Sequence, residues 1–146
     1  MGHGLVRAEG WEARLREAVE AAREKPFEWG TNDCALFAAD CVRAMTGTDL
    51  AAAFRGKYTT ASGARRALMR FGEGSLEATV MAVLGEPIVP TLARRGDVVL
   101  FQSFPPGAPP DGIEALAVCL GEVAASPGPQ GLTYVPMSEW LKAWRV

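Results

Sequence analysis

The sequence predicts an α+β fold: a helical N-terminal half whose central helix, led by Cys34, packs on a small antiparallel sheet, with a closing C-terminal helix. Three observations carry this. Apolar residues between positions 11 and 85 recur at helical spacing. After Pro87 and Pro90 the texture changes to short valine- and leucine-rich runs between turn residues. The apolar run Ala35-Leu36-Phe37-Ala38-Ala39 follows two good N-cap residues, Asn32 and Asp33, which marks the start of a buried helix.

Residues 1–10 open with the glycine-flanked Met1-Gly2-His3-Gly4 and are expected to form a flexible terminus, leaving 11–146 as one domain. A chain of 146 residues holds one core, whereas two domains would each be marginal. The first helix is expected over 11–25, with Trp11, Leu15, Ala18, Val19 and Ala22 on one face and Pro26 as its stop. The second runs from Asn32 or Asp33 to Ala44 or Met45 and ends at Thr46-Gly47. Three shorter helices are expected over 49–54, 62–71 and 75–84, the last capped by Ser75 and closed by Gly85. Strands follow over 97–102, 114–120, 122–126 and 132–135. The proline-rich segment 104–112 is either a rigid connector or a loop that touches a site or partner. A last helix over 137–144 would carry Trp140, Leu141 and Trp144 on one side, more apolar surface than a short edge requires, which implies association.

Composition is 49% hydrophobic with a net charge of −2, which fits a folded globular protein and lacks the basic stripe of a nucleic-acid binder. No apolar stretch approaches the roughly 20 residues that cross a bilayer, and the N-terminus has no signal-peptide core, so a cytoplasmic protein is expected. The three cysteines, Cys34, Cys41 and Cys119, form neither a CxxC pair nor a Cys/His cluster, so neither a metal nor a cofactor is expected. Cys34 and Cys41 lie about 10.5 Å apart along a helix, beyond disulfide reach. Cys41 and Cys119 fall in apolar runs and read as buried.

Cys34 carries the chemistry. A thiol at the first turn of a helix faces backbone N–H groups without helical partners, which favours the thiolate. The adjacent Asp33 opposes this by raising the thiol pKa. Cysteine catalysis also needs a base, usually an imidazole, and the sequence holds only His3. Glu114 or Asp111 would be a feeble substitute, since a carboxylate near pKa 4 takes little from a thiol near 8.5. Trp29, just before the cysteine, is placed to wall a groove, while Trp11, Trp140 and Trp144 sit on helix faces and read as core or subunit contacts.

The Trp29-Gly30-Thr31-Asn32-Asp33-Cys34 turn, the strand Arg95-Gly96-Asp97-Val98-Val99-Leu100-Phe101 and a second strand ending in Leu120-Gly121 resemble the papain-like cell-wall peptidases of the NlpC type. Phe27-Glu28-Trp29, Arg94-Arg95-Gly96-Asp97 and the segments 131–136 and 143–146 resemble a small branch of that group encoded among phage and prophage tail genes. The likeness spans residues 11–146. It implies a papain-like fold with Cys34 at the nucleophile and a groove lined by Trp29, Asp33, Asp97 and Ala115. The histidine position falls at Ala115, and the residue that would orient the histidine falls in 124–126, where only Ser126 is polar. The implied function is a catalytically degenerate, tail-associated domain acting as a structural or adaptor piece or as a binder of cell-wall peptide. It would contact other tail proteins or copies of itself and enter the virion tail after assembly. The alternative is an active cysteine peptidase or amidase that cuts peptidoglycan stems, using an unconventional base or His3 folded back.

Overall fold

Helix α1 (Trp11–Ala22) starts after Gly10, whose φ of 77° only glycine adopts freely, and turns Leu15 and Ala22 inward. Helix α2 (Cys34–Thr46) buries eight of its 13 residues, which places it between α1 on one side and the sheet on the other. Its end is a left-handed Gly47, whose N–H returns to the Arg43 carbonyl. Helices α3 (Ala61–Phe71) and α4 (Leu76–Leu84) are capped by the hydroxyls of Thr60 and Ser75, which accept from the N–H groups of Gly63 and Ala78. The structure, a computed structural model, describes residues 3–105 and 107–146.

Five strands form one antiparallel sheet in the order β4-β3-β2-β1-β5: β1 (Val98–Ser103), β2 (Ile113–Cys119), β3 (Val123–Gly128), β4 (Gly131–Pro136) and β5 (Lys142–Trp144). The two-residue period sorts β1 between two apolar clusters. Val98 and Leu100 join Phe37, Val42 and Met45 under the helices, while Val99 and Phe101 join Ala115, Ala117 and Trp140 on the opposite face. Pro127 is tolerated inside β3 because β2 pairs with β3 only at Ala124 and Ala125, so no ladder N–H is needed there.

Two expected helices are not found. Residues 49–54 make successive turns: the Asp49 carboxylate accepts from the Ala51 N–H at 3.1 Å and grips the Arg55 guanidinium with both oxygens, a local geometry that competes with helix. The expected closing helix is a 3₁₀ turn (Met137–Glu139) followed by β5, which pairs with β1 from Val98↔Trp144 to Leu100↔Lys142. Pairing along the open edge of β1 outweighs the local preference of residues 137–144. The tryptophans are then core residues. Trp144 is fully buried with its indole N–H on the Gly85 carbonyl, Trp140 donates to the Val135 carbonyl, and Leu141 alone stays exposed.

Within the stretch expected to be a loose terminus, His3 Nε2 lies 2.8 Å from the Arg145 carbonyl and the Ala8 N–H donates to the Met45 carbonyl. Residue 106 of the expected proline-rich loop lies outside the described residues; within the rest of 104–112 the Ala108 N–H donates to the Pro105 carbonyl and the Gly112 N–H to the Pro109 carbonyl, with Phe104 exposed. No helix among the described residues is long and apolar enough to cross a membrane.

Candidate functional site

The turn before α2 is built around one carboxylate. Asp33, 2% exposed, caps the helix by accepting from the Leu36 N–H at 3.0 Å, and its other oxygen accepts from the Gly30 N–H at 3.0 Å and the Tyr58 hydroxyl at 2.5 Å. Gly30 has a φ of 80°, and a Cβ there would sit 1.9 Å from the Tyr58 carbonyl oxygen. The turn and the Tyr58 segment are therefore interlocked backbone to backbone. Asn32 ties the same turn to the end of the α1 connection by donating to the Pro26 carbonyl at 3.0 Å.

Cys34 follows at the first position of α2 and is buried. Burial, and secondarily the charge of Asp33, push its thiol from 9.0 up to about 12, against a smaller downward pull from the backbone at Leu116 and Ala35. The favourable helix end is thus outweighed by desolvation. Cys34 joins the apolar cluster that also holds Ala115, Phe101 and Trp140. Ser126 is buried nearby in β3 with its hydroxyl given to the Leu116 carbonyl at 2.9 Å. Tyr58 is no proton acceptor either: burial first and the Asp33 charge second raise its pKa above the ordinary phenol range.

A cavity of about 530 Å³ opens beside this turn, between α2, α3, α4 and the start of β2. Trp29, Asp33, Cys34 and Tyr58 lie at one end, and Leu68, Phe71, Val80 and Val83 supply apolar walls. Trp29 is half-buried and meets Phe27 and Tyr58 edge to face at centroid distances of 4.8 and 6.4 Å. Glu114 reaches the rim, where its carboxylate accepts from the Glu77 N–H at the start of α4. Ala115 itself does not line the cavity; its neighbours Glu114 and Leu116 do, because successive strand residues face opposite ways.

Asp97 is not part of this groove. It lies at the start of β1 in a second pocket, where its carboxylate accepts from Arg7 at 2.9 Å, the Arg94 N–H at 2.8 Å and the Val146 N–H at 3.1 Å. His3 is also remote. The chain that follows it reaches α2 at Met45, and about 16 Å of helix separates Met45 from Cys34. Asp111 is exposed, its carbonyl taken by the Gln102 side chain. Cys41 and Cys119 are buried free thiols, both raised in pKa chiefly by that burial.

Tyr58 was not legible as part of the site. Its bond to Asp33 spans 25 residues, and Lys57-Tyr58-Thr59 carries no motif. Arg7 was missed as the partner of Asp97 for the same reason, the separation here being 90 residues. Among the described residues, no group of three or more His, Cys, Asp or Glu is arranged to hold a metal ion. No curated protein matches the chain. Residues 6–146 match a domain of unknown function, DUF6950, and with nearly the whole sequence inside that match the chain belongs to the DUF6950 family.

Proposed function

We propose that this chain is a catalytically degenerate papain-like domain of the NlpC type, serving among phage or prophage tail proteins as a structural or adaptor component. The observation that carries the reading is the state of Cys34: a buried thiol with its pKa pushed up to about 12, sharing an apolar cluster with Ala115, where a histidine would have to stand. General-base catalysis needs a proton acceptor within hydrogen-bond reach of the nucleophile. The polar side chains around Cys34 are committed elsewhere: Asp33 to three donors, Tyr58 to Asp33 and Ser126 to a carbonyl. The adjoining groove is walled by apolar residues of α3 and α4, which suits aliphatic side chains of a protein partner better than a carboxylate-bearing cell-wall stem peptide.

The test is direct. Purified protein incubated with cell-wall muropeptides should release no more free stem peptide than a Cys34→Ala control, because loss of the proton-transfer partner removes orders of magnitude in rate. Release that depends on Cys34 would establish the active peptidase or amidase instead. Co-purification with the neighbouring tail proteins tests the adaptor role: a strict monomer that captures none of them would sink it.

A further inference from the structure

A second pocket, of about 320 Å³, lies at the far end of α2 from Cys34 and is lined by Arg7, Arg94, Arg95, Arg145, Trp11 and Asp97 along with Val146. Its composition is unlike that of the rest of the molecule. Four arginines line it beside one buried carboxylate, which only the Arg7 guanidinium reaches, in a chain whose net charge is −2, so the surface outside this pocket is net negative. A terminal carboxylate on Val146 would still leave the pocket positive.

The four arginines are not equivalent. Arg7 is structural: it donates to Asp97 at 2.9 Å and to the carbonyls of Val146 and Arg95 at 2.8 Å each, and its guanidinium lies 4.2 Å above the Trp11 ring. Arg95 makes one long bond of 3.4 Å to the Leu120 carbonyl. Arg94 and Arg145 are exposed, and among the described residues neither guanidinium has a hydrogen bond, an ion pair or a ring contact. They come from different segments, one before β1 and one after β5, and meet only because β5 pairs with β1. Like charges held together without an internal counterion cost stability unless a ligand supplies the anion.

We infer that Arg94, Arg95 and Arg145 form a docking pocket for a short acidic segment of a partner protein. Arginine forks match carboxylates in paired hydrogen bonds. Two separate chain segments carrying the free forks suit more than one carboxylate. A nucleic acid fits less well, since its phosphates would run past the pocket onto net-negative surface. The inference does not depend on whether Cys34 is catalytic.

The experiment titrates a labelled tetraglutamate peptide into the intact protein at low salt, about a fifth of physiological ionic strength, where exposed charge pairs are least screened. Saturable binding is expected. It should weaken by about tenfold in the Arg94→Ala, Arg145→Ala double variant, and survive in Leu141→Ala, an exposed residue near Arg145 in sequence. Because neither free guanidinium makes an internal contact and their mutual repulsion is relieved, the double variant should melt no lower than the wild type. No saturable binding, or equal binding by wild type and double variant, would overturn the proposal. So would tighter binding of a single-stranded oligonucleotide of the same charge, or displacement of the peptide by an equal concentration of inorganic phosphate.

Discussion

Two turns in this molecule each bury a carboxylate beside a left-handed glycine, and they solve the same problem by different means. In the turn before α2, Gly30 and Asp33 stand beside the Tyr58 segment, and every donor to the carboxylate is neutral: two backbone N–H groups and a hydroxyl. In the turn before β1, Gly96 precedes Asp97, and the carboxylate takes one charged donor, Arg7, together with two backbone N–H groups. Both carboxylates are 2% exposed. Burial does most to raise the Cys34 thiol pKa, and the negative charge that neutral donors leave beside it adds to that, working against a nucleophile. The charged donor cancels Asp97 and leaves the surrounding arginines as the uncompensated charge. The first turn therefore favours burial and silence, and the second an exposed positive field.

The glycines sharpen this most. A Cβ at Gly30 would meet the Tyr58 carbonyl oxygen at 1.9 Å, whereas one at Gly96 would meet the Met45 sulfur at 2.8 Å and the tip of Arg7 at 2.9 Å. Backbone cannot step aside and flexible side chains can. Gly30→Ala is expected to cost more than about 4 kcal/mol, seen as loss of soluble folded protein. Gly96→Ala should cost about 1–2 kcal/mol from its left-handed backbone plus a modest repacking term, read by urea denaturation. Equal tolerance of the two substitutions would show that the Gly30–Tyr58 interlock does not hold the site.

The carboxylates come next. Asp97→Asn breaks a largely buried ion pair and leaves Arg7 among three other arginines, so a loss near the lower end of about 3–5 kcal/mol is expected, Arg7 being partly exposed. Asp33→Asn keeps the volume and presents one amide N–H₂ toward donors, a cost of about 1–3 kcal/mol. Denaturation midpoints for the pair decide it: if Asp33→Asn is the more damaging, the distinction between neutral and charged donors fails.

Sequence patterning made the first of these turns legible and hid most of the second. Asp33 is an N-cap by local rules, and the apolar run behind it required a buried helix, so α2 and its capping follow from adjacent residues. The β1 to β4 runs were readable as short apolar stretches between turn residues, and β1 to β3 carry continuous rather than alternating apolar residues because they are buried on both faces. Residues 137–144 show the limit. Trp140, Leu141 and Trp144 satisfy a helical spacing, yet β1 has an unpaired edge and residues 142–144 complete it. That preference belongs to a partner more than 40 positions away and leaves no trace in a local window. The contacts Tyr58 to Asp33 and Arg7 to Asp97 are invisible for the same reason, as is the groove, whose walls come from α2, α3, α4 and β2.

The smallest expected effect bears most directly on function, and it uses pH. Cys34 holds its proton more tightly folded, at about 12, than the ordinary 9.0 of an unfolded chain. Below pH 9 both states are protonated and the thiol contributes its full share to stability; above pH 9 the unfolded chain ionises first, and that share is lost progressively toward pH 12. Cys41, Cys119 and Tyr58 are raised in the same direction, so the wild type as a whole should weaken in alkali, and only the difference from Cys34→Ala isolates this one thiol. That difference should shift against the wild type by about 1 kcal/mol between pH 9 and pH 10, measured as paired urea midpoints. Iodoacetamide labelling at pH 8 should be correspondingly slow at Cys34, since the thiolate fraction falls about tenfold for each unit of raised pKa. Stability curves that run parallel through pH 10, with fast labelling, would mean that the sulfur ionises as an exposed thiol does. Burial and the Asp33 charge would then not be silencing it, and the hydrolase reading would regain its footing.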